Sequence, residues 1–381
     1  MFAKYMIDMK KLVLIALVLF SFNVDAQYIT TIAKNAAQPQ EGGILYYLPR
    51  NVIAVEFTIE ETRYAMGPYS EYASSVMGLT DYIREDKTEA KIIGIDIRTG
   101  VEVDPNAAFI IAQDEKSKEA MPNVILNEDG VIMAIGYDNI PADYNMECGE
   151  LVIDNQEIVK PEKISFLDVV EIDEDDDEGD ESEEEGSSTT KKNLTKEDRA
   201  MIAAEQIRKY RNSYYELVSG FLEVAYGDAT KYMAESLKSI ENEYMSLFKG
   251  KSSKCVYKKV VYITPEKSQA NGSVTIAKFS NTDGLLDANA KGGDAVKIQF
   301  DSKAALANLN SVDDGIINAV QTSKLISRVP VNSNVKILCN NEILADKRVI
   351  INQFGEFAIV PAKNNKVLFN PNSGQVVSIK K

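Results

Sequence analysis

The chain has no histidine and no tryptophan, and only three cysteines among its 381 residues. Without imidazole, nucleophile activation by a Ser-His-Asp or Cys-His arrangement, histidine-ligated zinc and imidazole proton shuttling are all excluded. Cys148, Cys255 and Cys339 are too few and too scattered for a disulfide framework, and the sequence does not choose among their three pairings. Cys255 and Cys339 fall in strand-like runs, where a cysteine behaves as a small apolar side chain. Phosphate chemistry lacks its loop: Gly292-Gly293 stands between strand signals, with no following helix and no lysine-serine pair. A dinucleotide fingerprint is missing as well, and no cofactor is expected. The basic footprint of a nucleic-acid binder is also lacking. The formal charge is -16, but Glu171 to Glu185 holds twelve acidic residues, which leaves about -4 for the rest. Nucleic acid is therefore not an expected partner.

Long apolar runs are scarce, and the clearest lies at the N-terminus. Lys10 and Lys11 precede Leu12 to Phe22, and Val24-Asp25-Ala26 then offers the small residues that a signal peptidase accepts. Cleavage between Ala26 and Gln27 is expected, with Met9 as an alternative start. Eleven residues rise about 16 Å as a helix, short of a hydrocarbon core of roughly 30 Å, so no retained membrane span is expected. No cysteine follows the run, so no amino-terminal lipid anchor is expected either. The expected location is periplasmic, outer-envelope-associated or secreted. Cleavage leaves 355 of the 381 residues, more than one core comfortably serves.

The strongest helical periodicity spans Thr195 to Gly250. Ala203, Ile207, Tyr210, Tyr214, Leu217 and Phe221 recur at steps of three and four, and Met233, Leu237, Ile240, Tyr244 and Leu247 restart the rhythm. Gly220, Gly227 and Asp228 lie between the two runs, which predicts an antiparallel helical hairpin. Thr195 with Asp198 three residues on marks the start, Asp228 can cap the second helix, and Gly250 marks the end.

The segments on either side alternate with period two. Before the hairpin, strands are expected at Ile44 to Leu48 and Val52 to Ile59, separated by Pro49-Arg50-Asn51. A short helix is expected over Tyr69 to Met77, then hairpins turning at Arg98-Thr99-Gly100 and at Asn127 to Gly130. Beyond the helices come strands near 255–263, 273–279, 284–286, 296–300, 325–329, 334–339, 343–352, 356–360, 366–369 and 375–379, with helical turns within 304–320. Asp173 to Lys192 has almost nothing to bury and reads as a disordered linker. Asp173, Asp175 and Asp177 alternate as in a calcium loop, but Glu178 occupies the position that needs glycine and Gly179 comes one residue late, so no metal site is expected. The expected class is α+β: two strand-rich, mainly antiparallel blocks separated by an acidic linker and a helical hairpin. The boundaries are a signal peptide over 1–26, an N-terminal β-rich domain over 27–165, the linker over 166–194, the hairpin over 195–250, and a C-terminal β-rich domain over 251–381 on which the hairpin packs.

Four motifs give the chain a resemblance. They are Tyr47-Leu48-Pro49; Gly67-Pro68-Tyr69 with Tyr72-Ala73; Leu247-Phe248-Lys249-Gly250; and Arg328-Val329-Pro330 followed by Gln353-Phe354-Gly355 and Val360-Pro361. The chain resembles a family of exported bacterial proteins described as domain of unknown function 4831. The resemblance implies an envelope or secreted location and one fold across the chain, with no catalytic residue to carry over.

Two functional readings remain open. The first is a non-catalytic exported protein that binds an envelope protein or glycan, or serves structurally. Eighteen tyrosines are the only hydroxyl-bearing aromatics, and Tyr210, Tyr214, Tyr215 and Tyr244 in the hairpin are the candidate binding-surface residues. The plainer role for these rings is to fill the seam between helices and sheet. The second reading is a histidine-free hydrolase that cleaves glycans with a carboxylate pair about 5 to 10 Å apart. With 58 acidic residues the sequence nominates no such pair.

Overall fold

The computed structural model describes residues 28–33, 42–113, 120–142, 144, 163–167, 194–219, 227, 229–302, 325–360 and 365–381. The signal-peptide segment with its Ala26/Gln27 junction, nearly all of the acidic linker, the turns over 304–320, Phe221, Asp228 and Cys148 lie outside the described residues.

Among the described residues thirteen strands build three sheets, every strand pair antiparallel. The first sheet has the order β1 (Tyr28–Ile32), β3 (Lys87–Gln113), β2 (Ile44–Ala65) and β6 (Lys251–Ile263). The second runs β11 (Glu342–Val360), β10 (Leu325–Cys339), β9 (Asp294–Asp301), β7 (Ser273–Ser280) and β8 (Gly284–Asp287). The third runs β13 (Val376–Lys380), β12 (Lys366–Phe369), β5 (Ile132–Ile135) and β4 (Val124–Leu126). The helices are α1 (Ala73–Met77), α2 (Lys196–Ser219) and α3 (Ala229–Lys249). The α+β class with a helical hairpin therefore holds.

Alternation dictates how the sheets meet. Ile53, Val55, Phe57 and Ile59 share one face of β2 and are fully buried, in a core with Val296, Ile298 and Phe300 of β9 and Val335 and Ile337 of β10. At the other end of the β2–β3 ribbon, Tyr46, Leu48 and Phe109 form a second core with Ile132, Ile135, Val367 and Phe369. Both cores combine residues from before and after the hairpin, and β6 joins the sheet of β2. The expected division into separate β domains over 27–165 and 251–381 is thus not how the sheets are composed. Long-range pairing of β2 with β6 and of β5 with β12 overrides the order along the chain.

The hairpin also seats differently from expectation. Its buried residues, Ala200, Ala203, Ala204, Ile207, Leu247 and Phe248, pack with Tyr69 and Ala73. Among the described residues, this third core contains none from the C-terminal segment 251–381. The preceding strand-to-helix connection presents an aromatic and a small residue at the height where α2 carries alanines, and the helices close onto it. Arg211 Nε and Nη2 donate to Glu241 Oε1 at 3.0 and 2.9 Å, and the rings of Tyr210 and Tyr244 lie 5.6 Å apart, so the two helices run antiparallel.

Pro49, read as a strand break, and Pro330, just beyond an expected strand end at Val329, both sit inside continuous strands. Tyr47 pairs with Ala108 but Pro49 with Val103, so β3 bulges at Asp104 to Ala107. Val329 pairs with Glu356 but Val331 with Ile351, so β11 bulges opposite Pro330. A bulge removes the ladder bond that proline cannot donate, which lets the strand run on. The turn expected at Arg98-Thr99-Gly100 is likewise absorbed, with Thr99 opposite Ile53 and Gly100 opposite Val52. The turn at Asn127 to Gly130 forms as expected, with Gly130 N–H donating to Asn127 O at 3.1 Å.

Candidate functional site

The four sequence motifs converge in two places. One is the junction of the proline bulges. There Arg328 donates from Nη2 to Asp104 Oδ2 at 3.0 Å and from Nη1 to Pro49 O at 3.0 Å, and its guanidinium lies 5.1 Å from the centre of the Phe357 ring. Asn51 and Gln353 exchange two hydrogen bonds, Asn51 N–H to Gln353 Oε1 at 2.9 Å and Gln353 Nε2 to Asn51 O at 2.8 Å. Arg328 is only 5% exposed. Burial pulls its pKa down and Asp104 opposes that shift, but arginine remains charged at any physiological pH. This junction is a packed scaffold node, with its cation committed to protein groups.

The other meeting place is the foot of the hairpin, where Gly67-Pro68-Tyr69 meets Leu247-Phe248-Lys249-Gly250. A Cβ on Gly67 would overlap the Leu247 carbonyl, so only glycine lets the connection lie against α3. Tyr69 N–H then donates to that carbonyl at 2.8 Å, and the Tyr69 and Phe248 rings lie 5.8 Å apart. Gly250 ends the helix at φ +83°, and its N–H donates to Ser246 O at 2.8 Å.

A depression opens on either side of this foot. The larger, about 580 Å³, is lined by Pro68, Tyr69, Phe166, Leu167, Leu194, Lys196 and Arg199. Its helical wall begins with the expected cap: Asp198 N–H donates to Thr195 Oγ1 at 3.1 Å, and Thr195 N–H to Asp198 Oδ2 at 2.9 Å. The opposite wall is tied down by Lys251, which donates to Ser165 O at 3.0 Å, pairs with Glu243 at 2.7 Å and lies 5.5 Å from the Phe166 ring centre. Lys196 pairs with Glu71 at 2.7 Å. Arg199 is half-buried, and its Nε is enclosed without a hydrogen-bond partner among the described residues. The smaller depression, about 350 Å³, is bounded by Tyr64, Tyr82, Arg84, Lys87 and Lys249, among others. Its rings are covered by its cations, with Arg84 5.2 Å from the Tyr82 centroid and Lys87 4.9 Å from that of Tyr64.

The four candidate tyrosines do not share a surface. Tyr210 and Tyr244 face each other in the seam, and burial first, then Tyr210, raises the pKa of the Tyr244 hydroxyl. Tyr214 is half-buried, whereas Tyr215 is 65% exposed. The structure adds Val218 and Tyr232, at 57% and 73% exposure, as outward apolar groups of the shaft. The lining of the larger depression went unseen in the sequence. Its one usable signal was the Gly67-Pro68-Tyr69 motif, since Arg199 looks like any helical surface arginine.

Three carboxylates are buried among the described residues, and each is held by a different arginine: Glu56 by Arg98, Asp104 by Arg328 and Glu241 by Arg211. Burial by itself would raise the Glu241 pKa. Hydrogen bonds from Lys238 and Arg211, with their charges, outweigh it and leave the pKa lowered. A general acid needs the opposite shift. Cys255 and Cys339 are unpaired and half-buried, and burial raises both thiol pKa values, which disfavours the nucleophilic thiolate. No cluster of metal-ligating side chains occurs among the described residues, and no helix among them is long and apolar enough to cross a membrane.

Comparison with family models matches residues 42–377 to a domain of unknown function (DUF4831). No curated protein and no solved structure matches the chain.

Proposed function

The chain belongs to the DUF4831 family, and from that premise we propose that it is a non-catalytic exported protein of the cell envelope or its surroundings, which binds a protein or glycan or serves structurally there. Export rests on Lys10-Lys11, the apolar run and Val24-Asp25-Ala26. The observation that carries the binding role is the contrast within the hairpin. Its foot is buried in a core of its own, while its shaft holds Tyr215, Val218 and Tyr232 out to solvent. A firmly seated arm with exposed aromatic groups is the arrangement from which recognition surfaces are made.

Cross-linking and pull-down of the mature protein from its native envelope tests the reading, alongside a screen with chromogenic glycoside and ester substrates. The expected result is a reproducible partner whose capture falls on Tyr215→Ala or Tyr232→Ala, with no turnover in the screen. Turnover that disappears on replacing a single acidic residue, with folding intact, would overturn it.

A further inference from the structure

We infer that the outer edge of β11 is an interface for a second copy of this chain: two β11 strands pair antiparallel about a twofold axis at Lys347, which sets Asp346 of each copy opposite Arg348 of the other. The inference goes beyond the binding role proposed above and makes no use of the hairpin.

β11 ends its sheet, and no described strand pairs with its other side. An edge strand presents a row of unpaired backbone groups, so its side chains decide whether another strand can add to it. The other strands that end sheets argue against addition. β1, β4, β8 and β13 are 5, 3, 4 and 5 residues long, and β6 carries Lys251, Lys254, Lys258 and Lys259 with no acid, so a second β6 would meet only like charge. β11 has 19 residues and carries both signs, in Asp346, Lys347 and Arg348. Its two faces fix the register. Ala345, Val349 and Ile351 pack in the first core, whereas Asp346, Arg348 and Ile350 lie on the opposite face and are exposed. Directly opposed residues of an antiparallel pair share a face, so a twofold axis must pass at a residue and not between two. An axis at Asp346 would oppose two aspartates, and one at Arg348 two arginines. An axis at Lys347 sets Asp346 against Arg348 twice and Ala345 against Val349. The central lysines are already engaged, since each turns to the other sheet of its own chain, donating to Ile97 O and lying 3.7 Å from Asp96. Arg348 makes no ion pair among the described residues, and Asp346 accepts a 3.5 Å hydrogen bond from Asn334 Nδ2. Beyond the charges, Ile350 of one copy meets the bulge at Ile343-Leu344 of the other, and Ile350 and Ile343 are 51% and 52% exposed. Opposite charges at the centre with apolar groups outside them form the self-complementary patch that an isologous dimer requires.

Sedimentation equilibrium of the full mature chain tests the inference. A ladder this short belongs to the small, transient class of interfaces, so the expected result is a reversible dimer whose share rises with concentration. Arg348→Asp and Asp346→Arg should each weaken it about tenfold or more, because each sets like charges opposite one another at both symmetry-related pairs. Both substitutions in one chain exchange the partners without removing them and should restore the dimer, as should an equal mixture of the two single variants. Both positions are exposed, so the thermal midpoint should stay unchanged. The register has its own readout. Lys347→Cys should give a disulfide-linked dimer with a mild oxidant, since directly opposed Cα atoms lie about 4.5–5.5 Å apart, whereas Arg348→Cys, displaced from the axis, should not. A chain that stays monomeric to its solubility limit would overturn the inference. So would a dimer indifferent to the charge reversals, or one that the paired reversals fail to restore. Partner capture through Tyr215 and Tyr232 reads a different surface, so either result can fail without the other.

Discussion

Arg328 and Arg199 each keep an Nε without a partner among the described residues, yet their surroundings differ. Around Arg328 the space is filled by Asp104, the Pro49 carbonyl and the Phe357 ring. Around Arg199 there is a cavity with an apolar rim. The same side chain type is a scaffold bolt in the first case and part of a cavity wall in the second. What separates them is the partners of the guanidinium: Arg328 is held by Asp104 and the Pro49 carbonyl at the bulge junction, whereas Arg199 lines a depression at the hairpin foot.

Breaking the bolt should have the largest effect. Arg328→Ala leaves Asp104 buried without its cation and is expected to cost about 3–5 kcal/mol in chemical denaturation. Arg328→Met with Asp104→Leu should recover most of that loss, because neither charge then needs solvation. A single variant of near wild-type stability would show that the junction is not a closed node.

Within the hairpin, Leu247→Ala removes a fully buried side chain and should cost about 2–5 kcal/mol. Leu237→Ala, at a half-buried position of the shaft, should cost less. Equal losses at the two positions would abolish the distinction between a buried foot and an exposed shaft.

A smaller effect is expected at Glu241. Its folded pKa lies below the unfolded value, so its contribution is fully present above the unfolded pKa, near 4.3, and is lost as pH falls through the folded pKa. Arg211 and Lys238 are about half exposed, which limits the contribution to about 1 kcal/mol or less. Glu241→Gln should therefore narrow the gap in thermal midpoint between pH 7 and pH 3. An unchanged gap would mean that the pair contributes nothing.

The smallest effect on folding is expected from Tyr215→Ala, within about 0.5 kcal/mol of wild type. A larger loss would show that the ring packs on the body of the protein and is not free for a partner.

Local chemistry makes much of the fold legible in the sequence. The helical hairpin followed from steps of three and four between apolar residues, its start from Thr195 with Asp198, and the β4–β5 turn from Asn127 to Gly130. These features depend on interactions within a few residues, where periodicity and capping suffice. The prolines misled for a related reason. Pro49 and Pro330 are local strand breakers, and only bulges in strands distant along the chain, at Asp104 to Ala107 and in β11 opposite Pro330, let β2 and β10 continue through them. The candidate site was legible only in part. Tyr215 was nominated and is exposed, Tyr210 and Tyr244 were nominated and fill the seam, and Arg199 carried no signal. The sequence by itself determined the helices, the strand-forming segments and the chemistries barred by the absence of histidine, because those follow from residue type and local spacing. Tertiary structure decided that β6 pairs with β2, that the hairpin seats on the Tyr69 connection, and that Arg328 is enclosed while Arg199 lines a cavity. Each of those outcomes depends on which distant backbone comes within reach, and spacing along one chain does not encode that distance.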